Sequence, residues 1–458
     1  MIYIERIENI GDMGRKIAVV GGGAAGMMAA IQAAYAGACV TVYERNDRVG
    51  RKILSTGNGK CNFSNEIMDT DCYYGSGAAR LDEIYERFGV TETKEFFRKL
   101  GMRIKDKNGY LYPASEQAAT VLDMLRYEME RLGIRLCTKC KVIGVRSVTK
   151  KGGVTRLVVE TDPTTRRSQE EDAPQRYDAV ILACGGKAAP KTGSDGGGLA
   201  IAGQLGHRIV PTVPALTALR CGETFWKQVA GVRCEACLTL YVGGTAVSTV
   251  HGELQLTEYG ISGIPVFQFS RIAAYALREN QCVTVGIDYI PIDSAFWEQR
   301  WDRQKEQNME QFVTGIVNKK VGLLLLKLAG IGETETACKI ALPRRKKLEA
   351  LFHAHKVTVL GTNSFDQAQV CAGGVDFEEV TADLQSVRVP GLFMAGEMLD
   401  IDGICGGYNL QWAWSSGAVA GRAAAGKSEH AGKVCRSGSP EQKNGSCGGS
   451  KGIKTTLR

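Results

Sequence analysis

Three glycines in the stretch "KIAVVGGGAAGMM" have the spacing of a phosphate-binding turn. Gly21, Gly23 and Gly26 follow an apolar strand, Ile17–Val20, and open a helix rich in Ala and Met. The first glycine permits a sharp bend, the second lets the backbone approach a pyrophosphate, and the third lets helix and strand pack closely. The helix N-terminus offers N–H donors to the phosphates. Glu44 ends the next strand, where it can bind ribose hydroxyls, so the sequence predicts a dinucleotide site.

The segment after Glu44 distinguishes between the two common dinucleotides. A nicotinamide-binding domain normally continues into another helix, whereas this chain continues with the polar loop "RNDRVGRKILSTGNGKCNFSN". That loop keeps Arg45, Arg51 and Lys52, together with a Gly/Asn-rich turn, near the phosphate end of the site. These features favour a longer and more deeply held dinucleotide, which would be FAD. The alternative interpretation is an ordinary surface loop.

A second argument for a flavin comes from the C-terminal segment "GLFMAGEMLDIDGICGGYNLQWAWSSGAVAG". Gly396 and Glu397 follow a strand, and Asp400, Gly407 and Asn409 precede a helix. The N-terminus of this helix can face the pyrimidine ring of a flavin, which becomes negatively charged on reduction. Its N–H groups and dipole would stabilise that charge. We expect Asp400 to bind a ribityl hydroxyl or to join a network near the phosphates.

The elements that position these residues follow from the periodicity of the apolar side chains. Residues 16–44 form a β-α-β unit, and "YDAVILACGG" returns as a buried strand of a parallel sheet. Amphipathic helices are predicted around Leu81–Leu100 and Ser115–Leu132. From about Val210, β-branched and proline-punctuated segments predict an inserted, mostly antiparallel domain, and helical spacing follows from Ser294. The predicted fold class is therefore α/β, with both chain ends in the nucleotide-binding fold.

At 458 residues the chain is too long for one compact core, so two or three domains are expected. The predicted boundaries are 1–15 for an N-terminal extension, 16–208 and 357–426 for a discontinuous FAD-binding domain, 209–293 and 340–356 for the inserted β domain, 294–339 for a helical subdomain and 427–458 for a disordered basic tail. The net charge is +8, but the tail carries seven Lys/Arg and two Glu, hence +5 of that charge. The nearly neutral body argues against a nucleic-acid partner.

The cysteine content and the hydropathy of the chain indicate the cellular compartment in which the protein is expected. The 15 cysteines occur without a secretory leader, because "MIYIERIENIGDMGRK" is charged throughout, and no apolar run is long enough to span a membrane. We interpret the cysteines as small buried side chains in a reducing cytoplasm. Two Cys-x-x-Cys pairs, Cys137/Cys140 and Cys234/Cys237, lie in predicted strands that direct their thiols to opposite faces. No metal site is therefore predicted.

These segments together carry a family resemblance. The chain resembles bacterial FAD-dependent flavoproteins with the glutathione-reductase type of FAD fold in Lys16–Glu44, "GRKILSTGNGKCNFSN", "GELQLTEYGISGIP", "CAGGVDFEEV" and "GEMLDIDGICGGYNLQWAWSSG". That family includes reductases of dehydro-bile acids and oxidases of small amines. The resemblance extends from about residue 16 to residue 425. It implies a Rossmann-like FAD domain with ββα layers, an inserted β-barrel-like domain, a small helical insert and non-covalently bound FAD.

The resemblance also implies which residues contact FAD. Carried over by position, they are Gly21, Gly23, Ala24, Ala25, Gly26, Glu44, Arg45, Arg51, Lys52, Asn58, Cys61, Asn62, Val142, Cys184, Gly185, Gly396, Glu397, Asn409 and Leu410. One departure from the family occurs in "TEYGISGIP", where Glu258 stands at a position that often holds His. This departure weakens the case for proton transfer at that loop.

Motifs that the sequence lacks reduce the number of reactions that the flavin could catalyse. A disulfide reductase carries a pair of cysteines beside the flavin, but the equivalent loop contains only Cys61. A second phosphate-binding fingerprint is absent, so we expect NAD(P)H to act as a transient electron donor at the open face between domains. The substrate pocket is expected between the flavin and the inserted domain. Tyr259 and Tyr408 are candidate catalytic residues whose phenols could donate a proton, although either could be a packing residue.

Three functions remain open from the sequence. The favoured one is an FAD-dependent NAD(P)H oxidoreductase that reduces a C=C bond conjugated to a ketone, such as a small 3-oxo-Δ4/Δ6 bile acid (steroid) intermediate. The second is a flavin oxidase of small amines such as aminoacetone, in which O₂ reoxidises the flavin. The third is a tRNA-modifying or non-catalytic flavoprotein, which only the basic tail favours.

Overall fold

The computed structural model describes residues 14–149, 155–165, 175–290 and 294–427. The predicted extension (1–15) and basic tail (427–458) lie almost entirely outside the described residues. The helices are α1 (Ala24–Tyr35), α2 (Leu81–Tyr85), α3 (Val90–Lys99), α4 (Ala118–Arg131), α5 (Gly197–Gln204), α6 (Trp226–Val229), α7 (Ile264–Arg278), α8 (Ser294–Arg303), α9 (Met309–Val313), α10 (Lys319–Ala329), α11 (Leu342–Ala354) and α12 (Tyr408–Ala424).

The strands follow the same chain order. They are β1 (Lys16–Val20), β2 (Cys39–Tyr43), β3 (Ser64–Asn65), β4 (Tyr73–Tyr74), β5 (Ile104–Lys107), β6 (Tyr110–Pro113), β7 (Arg135–Cys137), β8 (Val142–Thr149), β9 (Thr155–Thr161), β10 (Arg176–Tyr177), β11 (Ala179–Leu182), β12 (Ile209–Ala215), β13 (Leu219–Cys221), β14 (Arg233–Val242), β15 (Thr245–Thr257), β16 (Gly260–Ser262), β17 (Val283–Asp288), β18 (His355–Thr362), β19 (Val370–Val375), β20 (Leu392–Met394) and β21 (Asp402–Gly403).

A parallel sheet forms the centre of the FAD-binding part. Its strand order is β20-β11-β1-β2-β7, and every neighbouring pair is parallel. β1, β2 and β11 are rich in Val and Ile and almost wholly buried, which explains why they show no alternation of apolar and polar residues. β20 comes from the C-terminal part of the chain, whereas β1 and β2 come from the N-terminal part. This sheet confirms the predicted α/β class with a Rossmann-like core.

The two helices α1 and α12 pack side by side through small residues. A Cβ atom built on Gly417 would lie 2.5 Å from the Ala25 carbonyl oxygen, and one on Gly421 would lie 2.3 Å from that of Ala29. Because these contacts advance along both helices in the same direction, α1 and α12 run parallel. Both helices begin at one cleft, which lies beyond the carboxyl end of β1.

Strands β13 to β18 close into an antiparallel barrel of order β13-β16-β15-β14-β17-β18. Two predicted boundaries of this β domain need correction. β18 continues to Thr362 within the barrel, so the domain extends past the predicted limit at 356. β12 pairs with β19 outside the barrel, so the barrel begins near Leu219 and not at 209. The composition of a segment indicates that it is a strand but does not show which sheet the strand joins. The domain boundaries were misplaced for this reason.

Helices α8 to α11 pack on the barrel, and their buried side chains share its apolar core. The ring of Trp301 stacks on that of Phe312 with 4.2 Å between centroids. The predicted end of the helical subdomain at 339 is too early, because α11 remains helical to Ala354. Only Leu348 and Phe352 of α11 are buried, so its sequence carries little amphipathic signal.

Several smaller predictions can be compared with these elements. The amphipathic helices expected around 81–100 and 115–132 are confirmed as α2, α3 and α4. Cys234 and Cys237 lie in β14 as expected, whereas Cys140 lies beyond the end of β7. Within the described ranges, no helix has the length and apolar character needed to cross a bilayer. The same ranges contain no group of three or more His, Cys, Asp or Glu side chains arranged to hold a metal ion.

Candidate functional site

A cleft with a volume of about 890 Å³ opens at the carboxyl ends of β1, β2 and β11. Ligand pockets commonly span roughly 300–1,000 Å³, so this cleft is large enough for an extended ligand. In open α/β sheets, ligands bind outside the carboxyl ends of the strands where neighbouring strands diverge. The cleft is lined by the start of α1, the loop after β2, the start of α12, and a wall from β6 and α7.

The turn before α1 combines tight packing with an open edge. A Cβ atom built on Gly26 would lie 1.9 Å from the Gly21 carbonyl oxygen, so no larger residue fits between helix and strand. A Cβ atom built on Gly23 would meet no atom within 4 Å, so the backbone at this point borders open space. The first turn of α1 contains no acidic residue, which leaves its N–H groups and dipole available to an anion.

The carboxylate of Glu44, after β2, is held by three N–H groups. Its Oε2 accepts from the Gly22 backbone at 2.9 Å, and its Oε1 accepts from the backbone and side-chain amides of Asn46 at 2.8 Å each. A carboxylate offers about four lone-pair sites, so one remains for a ribose hydroxyl. Beside it, Arg45 forms an ion pair with Asp195. The sequence analysis identified Glu44 and Arg45 but missed both of their partners.

The carboxylate of Glu397 connects three separate segments at the cleft. It accepts hydrogen bonds from Lys52 Nζ at 2.9 Å, from the Gly186 N–H at 3.1 Å and from the Cys371 N–H at 2.9 Å. The side chains of Lys52 and Glu397 are 28% and 19% exposed, so solvent screens this pair only partly. Burial raises the pKa of the Cys371 thiol to about 12, and this thiol therefore stays neutral. Glu397 thus orients Lys52 and the backbone around it.

The start of α12 forms another side of the cleft. The capping residue Gly407 has a φ of +95°, and a Cβ atom there would lie 2.5 Å from the Ser64 carbonyl oxygen. Asn409 fixes the preceding loop, because its amide both donates to the Gly403 carbonyl at 2.8 Å and accepts from the Gly403 N–H at 2.9 Å. Asn62 lies beside Gly407, and its buried Oδ1 has no hydrogen-bond partner among the described residues. An unpaired buried acceptor costs about 1–3 kcal/mol, so a ligand N–H fits at this point.

The remaining wall of the cleft is aromatic and apolar. Tyr110 and Tyr112 are two residues apart on β6, so they share one face of the strand, and both line the cleft. Ile264 and Phe267 contribute from the first turn of α7, in the barrel domain. Ile264 is 60% exposed, so its hydrocarbon surface is open to a ligand in the cleft. This wall suits an apolar ligand.

Residues 15–423 match the family described as the HI0933-like protein Rossmann domain. The chain belongs to this HI0933-like family. It is 42% identical over 422 residues to a 3-dehydro-bile acid delta(4,6)-reductase from Clostridium scindens, covering 90% of this chain and 99% of that protein. It is 28% identical over 405 residues to a ribosomal RNA dihydrouridine synthase from Haemophilus influenzae, covering 87% and 95%. Among solved structures, a 3-ketosteroid-delta4-(5alpha)-dehydrogenase from Rhodococcus jostii RHA1 shares 15% identity at a TM-score of 0.43, covering 93% and 100%.

Membership of the HI0933-like family confirms the predicted resemblance to FAD-dependent flavoproteins, and the cleft fits that cofactor. The N–H groups at the start of α1 suit a pyrophosphate, and Glu44 suits a ribose. The unpaired Oδ1 of Asn62 suits the N–H of a flavin pyrimidine ring, and the first turn of α12, without acidic residues, suits its carbonyl groups. The HI0933-like chain is accordingly an FAD-dependent oxidoreductase.

Most residues that the sequence analysis assigned to FAD line this cleft, and contact with FAD stays a prediction for each. They are Gly21, Gly23, Ala24, Ala25, Glu44, Arg45, Arg51, Lys52, Asn58, Asn62, Val142, Cys184, Gly185, Glu397, Gly407, Asn409 and Leu410. Four assigned residues do not line it: Gly26, Cys61, Gly396 and Asp400. Gly26, Cys61 and Gly396 lie behind the lining, so their assignment as direct contacts needs correction, whereas contact between Asp400 and FAD stays a prediction.

The reasons for these corrections are local. Gly26 faces the Gly21 carbonyl, as its role in packing requires. The Cys61 thiol is fully buried, and burial raises its pKa to about 12. The N–H of Gly396 donates to the Ser416 hydroxyl at 2.9 Å. Asp400 Oδ2 accepts from a backbone N–H at position 76 at 2.8 Å, while its buried Oδ1 has no hydrogen-bond partner among the described residues.

Neither tyrosine proposed as catalytic lines the cleft. The Tyr259 phenol accepts a hydrogen bond from the Asn363 side chain at 2.8 Å and lies outside the cleft lining. The Tyr408 ring is buried, and it packs edge-on against Tyr73 with 5.7 Å between ring centroids. Residues next to a glycine-rich loop can point to either side of it, and the sequence does not show which. Both assignments are therefore corrected.

Two tyrosines of β6 that line the cleft, Tyr110 and Tyr112, were missed. They follow the turn "NG" in "IKDKNGYLYP", which joins β5 and β6, and the alternation of aromatic and apolar residues after such a turn indicates a hairpin strand. This signal was available in the sequence. The pairing of β6 with β3, which carries both phenols to the cleft, was not.

Proposed function

We propose that this HI0933-like protein is an ene-reductase that uses FAD and NAD(P)H to reduce a C=C bond conjugated to a ketone. The proposed substrates are 3-oxo-Δ4 or 3-oxo-Δ4,6 steroids of the bile acid type, whose double bonds are conjugated to the ketone. The reductase from Clostridium scindens supports this choice, because it is 42% identical over 99% of its own length and is named for 3-dehydro-bile acids.

The apolar wall of the cleft is the observation that carries the proposal. Ile264 and Phe267 present uncovered hydrocarbon surface next to the aromatic face of β6. Covering such surface gains roughly 25 cal/mol per Å², and a rigid fused-ring substrate would cover it with little loss of conformational freedom. A small amine such as aminoacetone would leave this wall in contact with water. The wall therefore favours a steroid over the amine oxidase hypothesis.

The chemistry requires two hydrogens to be added across the double bond. Bound FAD would supply a hydride for the β-carbon of the substrate. The α-carbon must then receive a proton from an acid in the cleft or from water. The negative charge that develops on the substrate ketone can be stabilised by hydroxyl and N–H donors of the chain.

The proposed electron donor, NAD(P)H, would have to share the cleft with the substrate. The sequence contains one phosphate-binding fingerprint, at Gly21–Gly26, and the start of α1 that it opens suits the pyrophosphate of FAD. A nicotinamide would then reach the flavin from the same open side as the steroid, and the two would bind alternately. This arrangement predicts ping-pong kinetics.

A second candidate function is reduction of a uracil ring in RNA. The relative from Haemophilus influenzae, 28% identical to this chain, is named a ribosomal RNA dihydrouridine synthase. The C=C bond of uracil is likewise conjugated to a carbonyl, so the same flavin chemistry would serve. Lys60, Lys141 and Lys191 line the cleft and could contact a phosphate backbone. The apolar wall is the feature that this candidate leaves unexplained.

Anaerobic stopped-flow spectroscopy separates these candidates. The purified flavoprotein is reduced with NADH or NADPH and then mixed with a 3-oxo-Δ4,6 bile acid, a ribosomal RNA fragment, aminoacetone or O₂. We expect the nicotinamide to bleach the flavin, and the steroid to restore its absorbance and leave as a product with two added hydrogen atoms. Reoxidation by RNA without reoxidation by the steroid would contradict the steroid proposal.

A further inference from the structure

The hydroxyl groups at the cleft differ in whether they are already engaged. Ser55, Thr56 and Thr192 donate to backbone carbonyl groups of their own turns, at 2.6–2.8 Å. The phenol oxygen of Tyr43 lies 2.7 Å from that of Tyr177, so the two form a buried pair. These groups have partners within the protein and are poorly placed to give a proton to a ligand.

The phenols of Tyr110 and Tyr112 are different, because no hydrogen bond among the described residues engages either of them. Tyr110 is 42% exposed, whereas Tyr112 is half-buried. Leu111, the chain neighbour of Tyr112, pairs with Ser64, whose carbonyl oxygen lies against Gly407 at the start of α12. The Tyr112 phenol therefore lies at the end of the cleft that suits the flavin ring.

Two features bear on the proton of the Tyr112 phenol. Burial raises its pKa above the ordinary value for tyrosine, with smaller contributions from Cys405 and Tyr110, so the phenol keeps its proton at neutral pH. The Nζ of Lys107 lies 5.4 Å from the centroid of the Tyr112 ring and pairs with Glu116 at 2.9 Å, and its positive charge would stabilise a transient phenolate against the opposing charge of Glu116. The Lys107 side chain is 38% exposed and thus in contact with solvent.

We propose that Tyr112 is a catalytic residue whose phenol donates a proton to the α-carbon of the substrate while a hydride reaches the β-carbon. The inference rests on the proposed function. The π bond of the substrate breaks and two C–H bonds form, with both electrons arriving with the hydride. The phenolate then recovers its proton from solvent water on the Lys107 side.

The variant Tyr112→Phe tests this role, because it removes the hydroxyl and keeps the ring. The matched control is Tyr241→Phe, since Tyr241 also has a lysine over its ring, Lys356 Nζ at 5.0 Å, but lies in the barrel outside the cleft lining. We expect Y112F to bind FAD and to be reduced by NAD(P)H at the wild-type rate. Reoxidation by the enone should be about 100-fold slower in Y112F, as loss of a general acid requires, and unchanged in Y241F.

The pH dependence of the enone step and the deuterium content of the product are two further measurements. A packing defect would change neither of them. The wild-type enone step should proceed below the raised pKa of Tyr112 and decline as the pH rises through it, and Y112F should lack this alkaline decline. In D₂O the wild type should place deuterium at the α-carbon and show a solvent isotope effect that Y112F lacks. If Y112F were reoxidised by the enone at the wild-type rate and with the wild-type pH profile, Tyr112 would not be the proton donor. The ene-reductase proposal would remain intact in that case. If the wild type reduced no C=C bond, both proposals would fall.

Discussion

Two helices begin at the same cleft, and their first turns are built in different ways. The capping residue of α1, Gly23, has an extended conformation with a φ of −80°, and its Cβ position borders open space. The rest of the turn is held by residues 43–50, for example through the Gly22 N–H bond to Glu44 at 2.9 Å, and by Ala183 against Gly21. The capping residue of α12, Gly407, has a φ of +95° and presses against the Ser64 carbonyl. The Tyr73 hydroxyl also donates to the Tyr408 carbonyl at 2.9 Å. The start of α12 is therefore held by residues more than three hundred positions earlier in the chain.

This difference separates the two ends of the cleft. The phosphate end is built mainly from residues 21–50, with a further contact from Ala183. The flavin end requires the loop after β2, the small β3-β6-β5 sheet and the C-terminal helix to meet. We therefore expect a substitution at the capping residue of α1, Gly23, to act locally and one at the capping residue of α12, Gly407, to be felt across the fold.

The largest effect is expected for Gly26→Ala. The new Cβ atom would lie 1.9 Å from a backbone oxygen that cannot move without breaking the β1–α1 turn. We expect a loss of at least about 3 kcal/mol in the free energy of unfolding, the upper range for overpacking, measured by urea denaturation. Wild-type stability in G26A would contradict the packing role of this glycine.

Gly23→Ala is the matched control within the same turn. Its Cβ atom would meet no protein atom within 4 Å, so the apoprotein should unfold at the wild-type urea concentration. The added methyl group would instead occupy space next to the pyrophosphate. We expect FAD affinity to fall about tenfold, which corresponds to about 1.4 kcal/mol and is measurable by fluorescence titration. If the affinity for FAD were unchanged, the pyrophosphate could not bind next to Gly23.

An intermediate effect is expected for Gly407→Ala. A left-handed conformation costs a residue with a Cβ atom about 1–2 kcal/mol, and the contact with Ser64 adds to this cost. Both the melting temperature and FAD affinity should fall together, because the same turn shapes the flavin end. Gly361→Ala in the barrel is the control, since nothing lies within 4 Å of its Cβ position, and it should change stability by less than about 0.5 kcal/mol. A G407A variant that melts like the wild type would refute the difference between the two helix starts.

The smallest effect is expected for Glu397→Gln. Glu397 links the loop after β2 to the segment before α12, and the substitution keeps its shape while removing the charge that faces Lys52. We expect about 1–2 kcal/mol of lost stability from weakened hydrogen bonds to a charged acceptor, measured by thermal unfolding of the apoprotein.

The barrel offers a matched control for the charge change. Glu253→Gln breaks an exposed ion pair in which the side chains of Arg233 and Glu253 are 60% and 56% exposed. This substitution should leave the thermal stability almost unchanged. Equal effects of E397Q and E253Q would show that the pair at the cleft contributes no more than a surface ion pair.

Much of the cofactor site could be predicted from the sequence. The α1 turn and Glu44 were identified because strand, glycines, helix and acid follow one another along the chain. Lys52 and Glu397 were each named, but their ion pair joins residues from opposite ends of the sequence, and no spacing rule connects them. Their partnership became visible only when β20 was found beside β11 in the sheet.

The substrate side of the cleft was harder to predict. Tyr259 and Tyr408 were chosen for their proximity to motifs, whereas Tyr110 and Tyr112 line the cleft because β6 pairs with β3. Ile264 has no sequence feature that distinguishes it from any apolar residue at the start of an amphipathic helix. Its 60% exposure and its place in the cleft lining are seen only in the folded chain.

The amino-acid sequence by itself determined the dinucleotide turn, the α/β class and the family, because these depend on local spacing and on patterns that the chain carries in order. The tertiary structure alone decided which phenols face the cleft, which carboxylate orients Lys52 and where the barrel begins. The physical reason is that these features depend on strand pairing and helix packing between distant segments, which local periodicity does not encode.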